Sequence, residues 1–174
     1  MKRSAPLRLA LAALLTVAAL LSAVPAQAAA PTPAPSTAKP ELVVHPDGSW
    51  EIRDPDNVNY PISYCAGTSH GPKMIGTLTL EFGAQQTCDN ARDWPHRVVV
   101  WLQSTCSDFW CIVFDDEGYM DTGWVTGRVA TKTGGLGCDN TNRRKYRLVV
   151  DVYARGTYLD TVVGSNEPVL SCSM

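Results

Sequence analysis

Gly67-Thr68-Ser69-His70-Gly71 fits the pattern G-x-S-x-G, the spacing of a serine hydrolase nucleophile. In such an enzyme the glycines permit a sharp strand-to-helix turn that exposes the hydroxyl, and nearby backbone N–H groups stabilise an oxyanion. Here Pro72 follows at once, and Met74 to Phe82 then alternates as a strand. A Gly-rich β-turn is the expected structure. Ser69 would be a nucleophile only if folding brought His45 or His96 to it, because neighbouring residues such as His70 tend to point away. No catalytic set is expected.

Asp115-Asp116-Glu117-Gly118 with Asp121 places four carboxylates in seven positions. Ca²⁺ takes clustered oxygens, but the EF-hand spacing and its flanking helix are absent. The expected structure is a hairpin tip with solvated acids and no bound metal. Zinc is also disfavoured, since the cysteines lack C-x-x-C spacing and no two histidines are close. Gly134-Gly135-Leu136-Gly137 lacks the Lys-Ser/Thr and the helix start of a phosphate loop. No cofactor is implied.

The aromatics suggest binding instead. Three of the five tryptophans, Trp94, Trp101 and Trp110, lie in a 17-residue stretch. Phe109-Trp110 sits between Cys106 and Cys111, where a bridge would clamp a hairpin and present two rings to a sugar or a protein. Trp50 and Trp124 alternate with polar neighbours and read as core.

All six cysteines lie beyond residue 64, and the first 28 residues read as a secretion signal. Lys2, Arg3 and Arg8 form a basic start, Leu9 to Val24 an apolar run of 16 residues, and Ala26-Gln27-Ala28 a cleavage site. The run is shorter than the roughly 20 residues a bilayer core needs, so no stable membrane anchor is expected. In an oxidising compartment the cysteines pair. Pairing neighbours gives Cys65–Cys88, Cys106–Cys111 and Cys138–Cys172; a symmetric alternative gives Cys65–Cys88, Cys111–Cys138 and Cys106–Cys172. Cys65–Cys88 is common to both.

Beyond the signal, the chain carries 12 basic and 17 acidic residues, a net charge of −5. That argues against nucleic acid as a partner. Arg143-Arg144-Lys145 with Arg147 is a local basic cluster, read as a solvated loop. Residues 29–40 hold four prolines and no large apolar side chain, the composition of a disordered tether. Residues 41–174 then form one domain.

Period-two alternation dominates that domain. Expected strands are Leu42–His45, Ser49–Arg53, Tyr60–Cys65, Met74–Phe82, Arg97–Gln103, Cys111–Asp115, Trp124–Thr131, Tyr146–Tyr153, Thr157–Val163 and Val169–Cys172. Pro46-Asp47-Gly48 and Arg155-Gly156 read as turns. Cys88-Asp89-Asn90 recurs 50 residues later as Cys138-Asp139-Asn140, with six identities in 16 positions over Cys88–Gln103. That alignment sets Trp101 on the face where the second copy has Asp151, which is not the inner one. The pattern implies an all-β, disulfide-braced antiparallel sandwich, immunoglobulin-like in the broad sense or jelly-roll-like, with two pseudo-repeated halves.

A secreted, non-catalytic binding module for an extracellular protein or polysaccharide is the expected function. The alternatives are a hydrolase (protease) inhibitor presenting the Cys106–Cys111 loop, and a small hydrolase.

Overall fold

A computed structural model describes residues 39–53, 64–88 and 95–174, which fall within one compact unit, Ser36–Met174. The signal, most of the tether, the start of the Tyr60–Cys65 strand, Asp89-Asn90 and Trp94 lie outside the described residues. No helix occurs among those described. The first sheet runs β1 (Glu41–Val44), β2 (Trp50–Arg53), β3 (Cys65–Ile75), β4 (Thr79–Cys88) and β7 (Val129–Gly137), in that order. The second runs β10 (Val169–Ser173), β8 (Asn140–Ala154), β5 (His96–Cys106) and β6 (Asp115–Asp121), with β9 (Thr157–Val163) also on β8. Every strand pair is antiparallel. The chain is a disulfide-braced β-sandwich.

Alternation decides the core. Val98, Val100 and Leu102 of β5 and Leu148, Val150 and Val152 of β8 point inward, onto Trp50, Ile52, Leu80, Phe82 and Ala84 of the first sheet. The intervening residues of β5 and β8 form the outer face of the second sheet. Trp50 is 1% exposed, and its indole lies flat on β3 at Gly67, where a Cβ would stand 2.0 Å from Trp50 Cε2. Only glycine fits there, so a segment short of β-formers nonetheless pairs as a strand.

One polar chain crosses this core. Trp50 Nε1–H donates to Gln86 Oε1 (3.0 Å), Gln86 Nε2–H donates to His96 Nδ1 (3.1 Å), and His96 Nε2–H donates to the Gly127 carbonyl (2.8 Å). Gln86 and His96 are fully buried, so each contact satisfies a group that burial would otherwise leave unpaired.

The bridges are Cys65–Cys88, Cys106–Cys111 and Cys138–Cys172, with no free cysteine. The neighbour scheme is the one that forms. Cys65–Cys88 joins directly paired residues of β3 and β4. Cys138–Cys172 ties the end of β7 in the first sheet to β10 in the second. Both Cys-Asp-Asn cysteines mark the passage between sheets: Cys88 ends β4 before β5, and Cys138 separates β7 from β8. The strands before the two cysteines, β4 and β7, pair antiparallel with each other, as do those after them, β5 and β8.

Several expected strands are displaced. Met74–Phe82 is not one strand: Gly76, at φ +66°, opens a turn, and Leu78 is 50% exposed. Gly67–Gly71 is strand rather than turn, with a register shift after His70. The expected strand Trp124–Thr131 begins only at Val129, because Val125 makes a single bridge to His96. Cys111–Phe114 is not strand, and the acidic run is no hairpin tip: it is β6, whose Asp116 and Tyr119 pair with Gln103 and Trp101. The basic cluster is not a loop but the start of β8, where alternation sends Arg144 inward to Glu117 (3.8 Å) and Arg147 outward to Gln103 Oε1 (2.8 Å). The Arg155-Gly156 turn and β9 stand where the alternation placed them; both turn residues have positive φ (52° and 76°), as a two-residue hairpin of this hand requires.

Two outcomes follow. Replacing both members of Cys138–Cys172 by serine should cost about 4 kcal/mol, against about 2 kcal/mol for Cys106–Cys111, by loop entropy alone; chemical denaturation measures the difference. Gln86→Leu should cost about 3 kcal/mol, since it leaves the Trp50 indole N–H without its buried acceptor and removes the donor to His96 Nδ1.

Candidate functional site

Two features of the second sheet stand out, and they are continuous. The first is the loop after β5. Phe109, Trp110, Ile112 and Val113 are 75%, 75%, 82% and 73% exposed. The Cys106–Cys111 bridge closes residues 107–110, and the two rings lie 3.7 Å apart between centroids. Cys111 N–H donates to the Asp108 carbonyl (3.1 Å), so the segment is a turn.

The second feature is the outer face of the same sheet. Trp101 is half-buried there, stacked at 5.0 Å on Tyr119 of β6, with its indole N–H donating to Asp151 Oδ2 (2.9 Å). Trp101 and Asp151 therefore share the outer face, as their offset of 50 residues implies. Thr161 Oγ1 donates to the other Asp151 oxygen (2.7 Å). Trp124 is not core: it is 46% exposed and meets Tyr153 edge-on at 5.9 Å, while Tyr153 meets Tyr158 at 5.4 Å. Its neighbours alternate, but it precedes the strand that would have turned it inward.

Charges on this face are paired in place. Arg97 grips Asp121 through Nε and Nη2 and lies 5.2 Å from the Tyr153 centroid. The hydrogen bonds from Arg97, aided by the Gly123 N–H, hold the Asp121 carboxyl below the usual range and outweigh its desolvation. Gln103 Nε2–H donates to Asp116 (2.8 Å), and the Arg147 guanidinium covers Phe114 at 4.0 Å. Phe114 joins the loop to the sheet face.

The other sequence candidates do not assemble. Both ring nitrogens of His96 are engaged in the core, and His45 pairs with Glu51 at 3.5 Å on the β1–β2 hairpin. Neither serves Ser69, which sits in β3 opposite Ala84. His70 reaches over Gly83 to Thr133 (2.7 Å). The acids of β6 diverge: Asp116 to Gln103, Asp121 to Arg97, and Glu117 inward, where it accepts from Ser104 Oγ. Among the described residues no three His, Cys, Asp or Glu side chains gather as a metal site. Sequence reasoning named Trp101 but missed Tyr119, Tyr153, Tyr158 and Phe114; the alternation of β8 carried the signal for Tyr153, whereas Tyr158 faces out only through the register shift in the β8–β9 pair.

No family model matches the chain, and no curated protein matches it. Among solved structures, a β-glucosidase from Kluyveromyces marxianus in complex with glucose aligns with 66% of this chain and 16% of its own, at 11% identity and a TM-score of 0.31. The selenomethionine-labelled β-glucosidase from that organism gives 64%, 15%, 12% and 0.31. Overlap so slight carries no argument about activity.

Tyr146, buried on the inner face, donates its hydroxyl proton to the Cys172 carbonyl (2.7 Å). Desolvation, with the nearby Glu117 charge, pushes its pKa up from 10.0 to about 12. The folded chain thus holds this proton more tightly than the unfolded chain. The stability it contributes is whole below pH 10 and is lost as pH rises toward about 12. Denaturation curves across that window should fall less steeply for Tyr146→Phe than for the wild type.

Proposed function

We propose that this protein is a secreted, non-catalytic binding module, holding an extracellular protein or polysaccharide through the Phe109–Val113 loop and the adjoining face of the second sheet. The carrying observation is the loop itself: four large apolar side chains, each at least 73% exposed, on a segment shut by a disulfide. Apolar surface of that extent, on the order of several hundred Å², is unfavourable in water unless a partner covers it. The bridge restrains the rings before contact, which lowers the ordering cost of association. Export is supported by the n-region, apolar run and cleavage residues of the first 28 positions, and three disulfides accord with it. No helix among the described residues is long and apolar enough to cross a membrane.

The test is retention. The protein without its first 28 residues is immobilised and exposed to secreted proteins, cell-wall polymer and polysaccharides of its source. Trp110→Ala should fold with an unchanged circular-dichroism spectrum and retain at least tenfold less of the bound component. Equal retention by the variant would contradict the assignment of the loop, and retention of nothing by the wild type would contradict the binding reading.

A further inference from the structure

We infer that the outer face of the second sheet is a binding site for a neutral glycan chain. The inference rests on the reading of the protein as a binding module and names the ligand of its sheet face. It begins from an asymmetry. Both sheets turn one face to solvent, yet the two faces differ in kind. That of the first sheet carries Thr68, Gln85, Thr87, Thr131 and Thr133, and none of its described strand residues places a Phe, Tyr or Trp outward. The strands of the second place four aromatic rings outward, Trp101, Tyr119, Tyr153 and Tyr158, and two flanking residues, Phe114 and Trp124, lay their rings beside Arg147 and Tyr153. Sheet stability alone needs no rings on a wetted face, as the first sheet demonstrates.

The rings do not form a continuous apolar patch. Hydrogen-bonding side chains separate them: Asp151 and Thr161 beside Trp101, the Arg97–Asp121 pair between Tyr119 and Tyr153, and Gln103 with Asp116 near Phe114. A pyranose has this same division, with apolar C–H faces that stack on rings and hydroxyl edges that exchange hydrogen bonds with carboxylates, amides and guanidinium groups. Carboxylate oxygens accept more than one hydrogen bond, so Asp116 and Asp151 retain capacity for hydroxyl donors. From Gln103 to Arg97 the strip extends roughly 20 Å along β5, long enough for several sugar units.

Charge selects among glycans. Arg97, Arg143, Lys145 and Arg147 share this face with four carboxylates, Asp116, Asp121, Asp151 and Glu167; Arg97 is already bound to Asp121, and Lys145 lies 4.0 Å from Glu167. The face has no excess of cations with which to hold a sulfated or uronic acid chain, whereas a neutral chain meets no repulsion.

Binding is measured by calorimetry with hexasaccharides derived from cellulose, xylan, mannan, laminarin and chitin, and with a sulfated heparin hexasaccharide. At least one neutral hexasaccharide should bind, and Tyr119→Ala and Trp124→Ala should each weaken it about tenfold. Both positions are exposed, so these variants should keep the wild-type melting temperature. Thr131→Ala and Thr87→Ala, on the opposite face, should change nothing. Binding only of the sulfated sugar, equal binding by Tyr119→Ala and Trp124→Ala, or no binding of any neutral sugar would overturn the inference. A protein captured through the Phe109–Trp110 loop alongside failure of every sugar would overturn the glycan site and leave the binding-module reading standing; failure of both would remove both.

Discussion

His96 sets the parity of the central strand. Its imidazole is locked inside the sandwich between Gln86 and the Gly127 carbonyl, with the Trp50 indole fixing the amide of Gln86 in turn. With His96 inward, Val98, Val100 and Leu102 are inward, and Arg97, Trp101 and Gln103 must face out. Because side chains alternate with a period of two, a slip of one residue would bury an arginine and a glutamine and expose the valines. The register with β8 carries the same choice to Asp151 and Tyr153, and the register with β6 carries it to Tyr119. The composition of the outer face thus follows from one buried polar chain.

The two solvent faces then show what stability requires and what it does not. The outer face of the first sheet carries threonines, which suit a pleat, with Gln85, residues that cost little in water. The second bears rings held in place by polar neighbours, ending in a loop whose rings are still more exposed. Cys138–Cys172 joins the sheets, and Cys65–Cys88 staples a hairpin in the first. Cys106–Cys111 lies away from the core and closes the short apolar loop.

Much of this was legible in residue order, for physical reasons. Strands β5, β8 and β9 alternate or run apolar, and the offset of 50 residues located Trp101 correctly opposite the core. Neighbouring cysteines paired because each pair closes a local element or the nearest edge. The failures have causes too. Residues 115–121 resemble a solvated turn because acids are poor strand formers, yet Asp116, Glu117 and Asp121 each find a donor on β5, while Asp115 stays exposed. Residues 67–71 resemble a loop because glycine is rare in strands, and only the Trp50 ring lying across Gly67 accounts for it. The buried chain from Trp50 to Gly127 joins four distant positions and exists only once the two sheets are stacked. Tyr153 was readable as outward by alternation, but Tyr119 lay in the expected turn and Tyr158 faces out only through a register shift; their clustering depends on strand order.

Hydroxyl-radical footprinting of the free protein, read by mass spectrometry residue by residue, tests the assignment of inward and outward faces most directly. Phe109, Trp110, Tyr119 and Trp124 should oxidise quickly, and Trp50, Phe82 and Tyr146 should be protected until the protein unfolds. Oxidation of Trp50 at the rate of Trp110, or protection of Tyr119 equal to that of Phe82, would contradict the account.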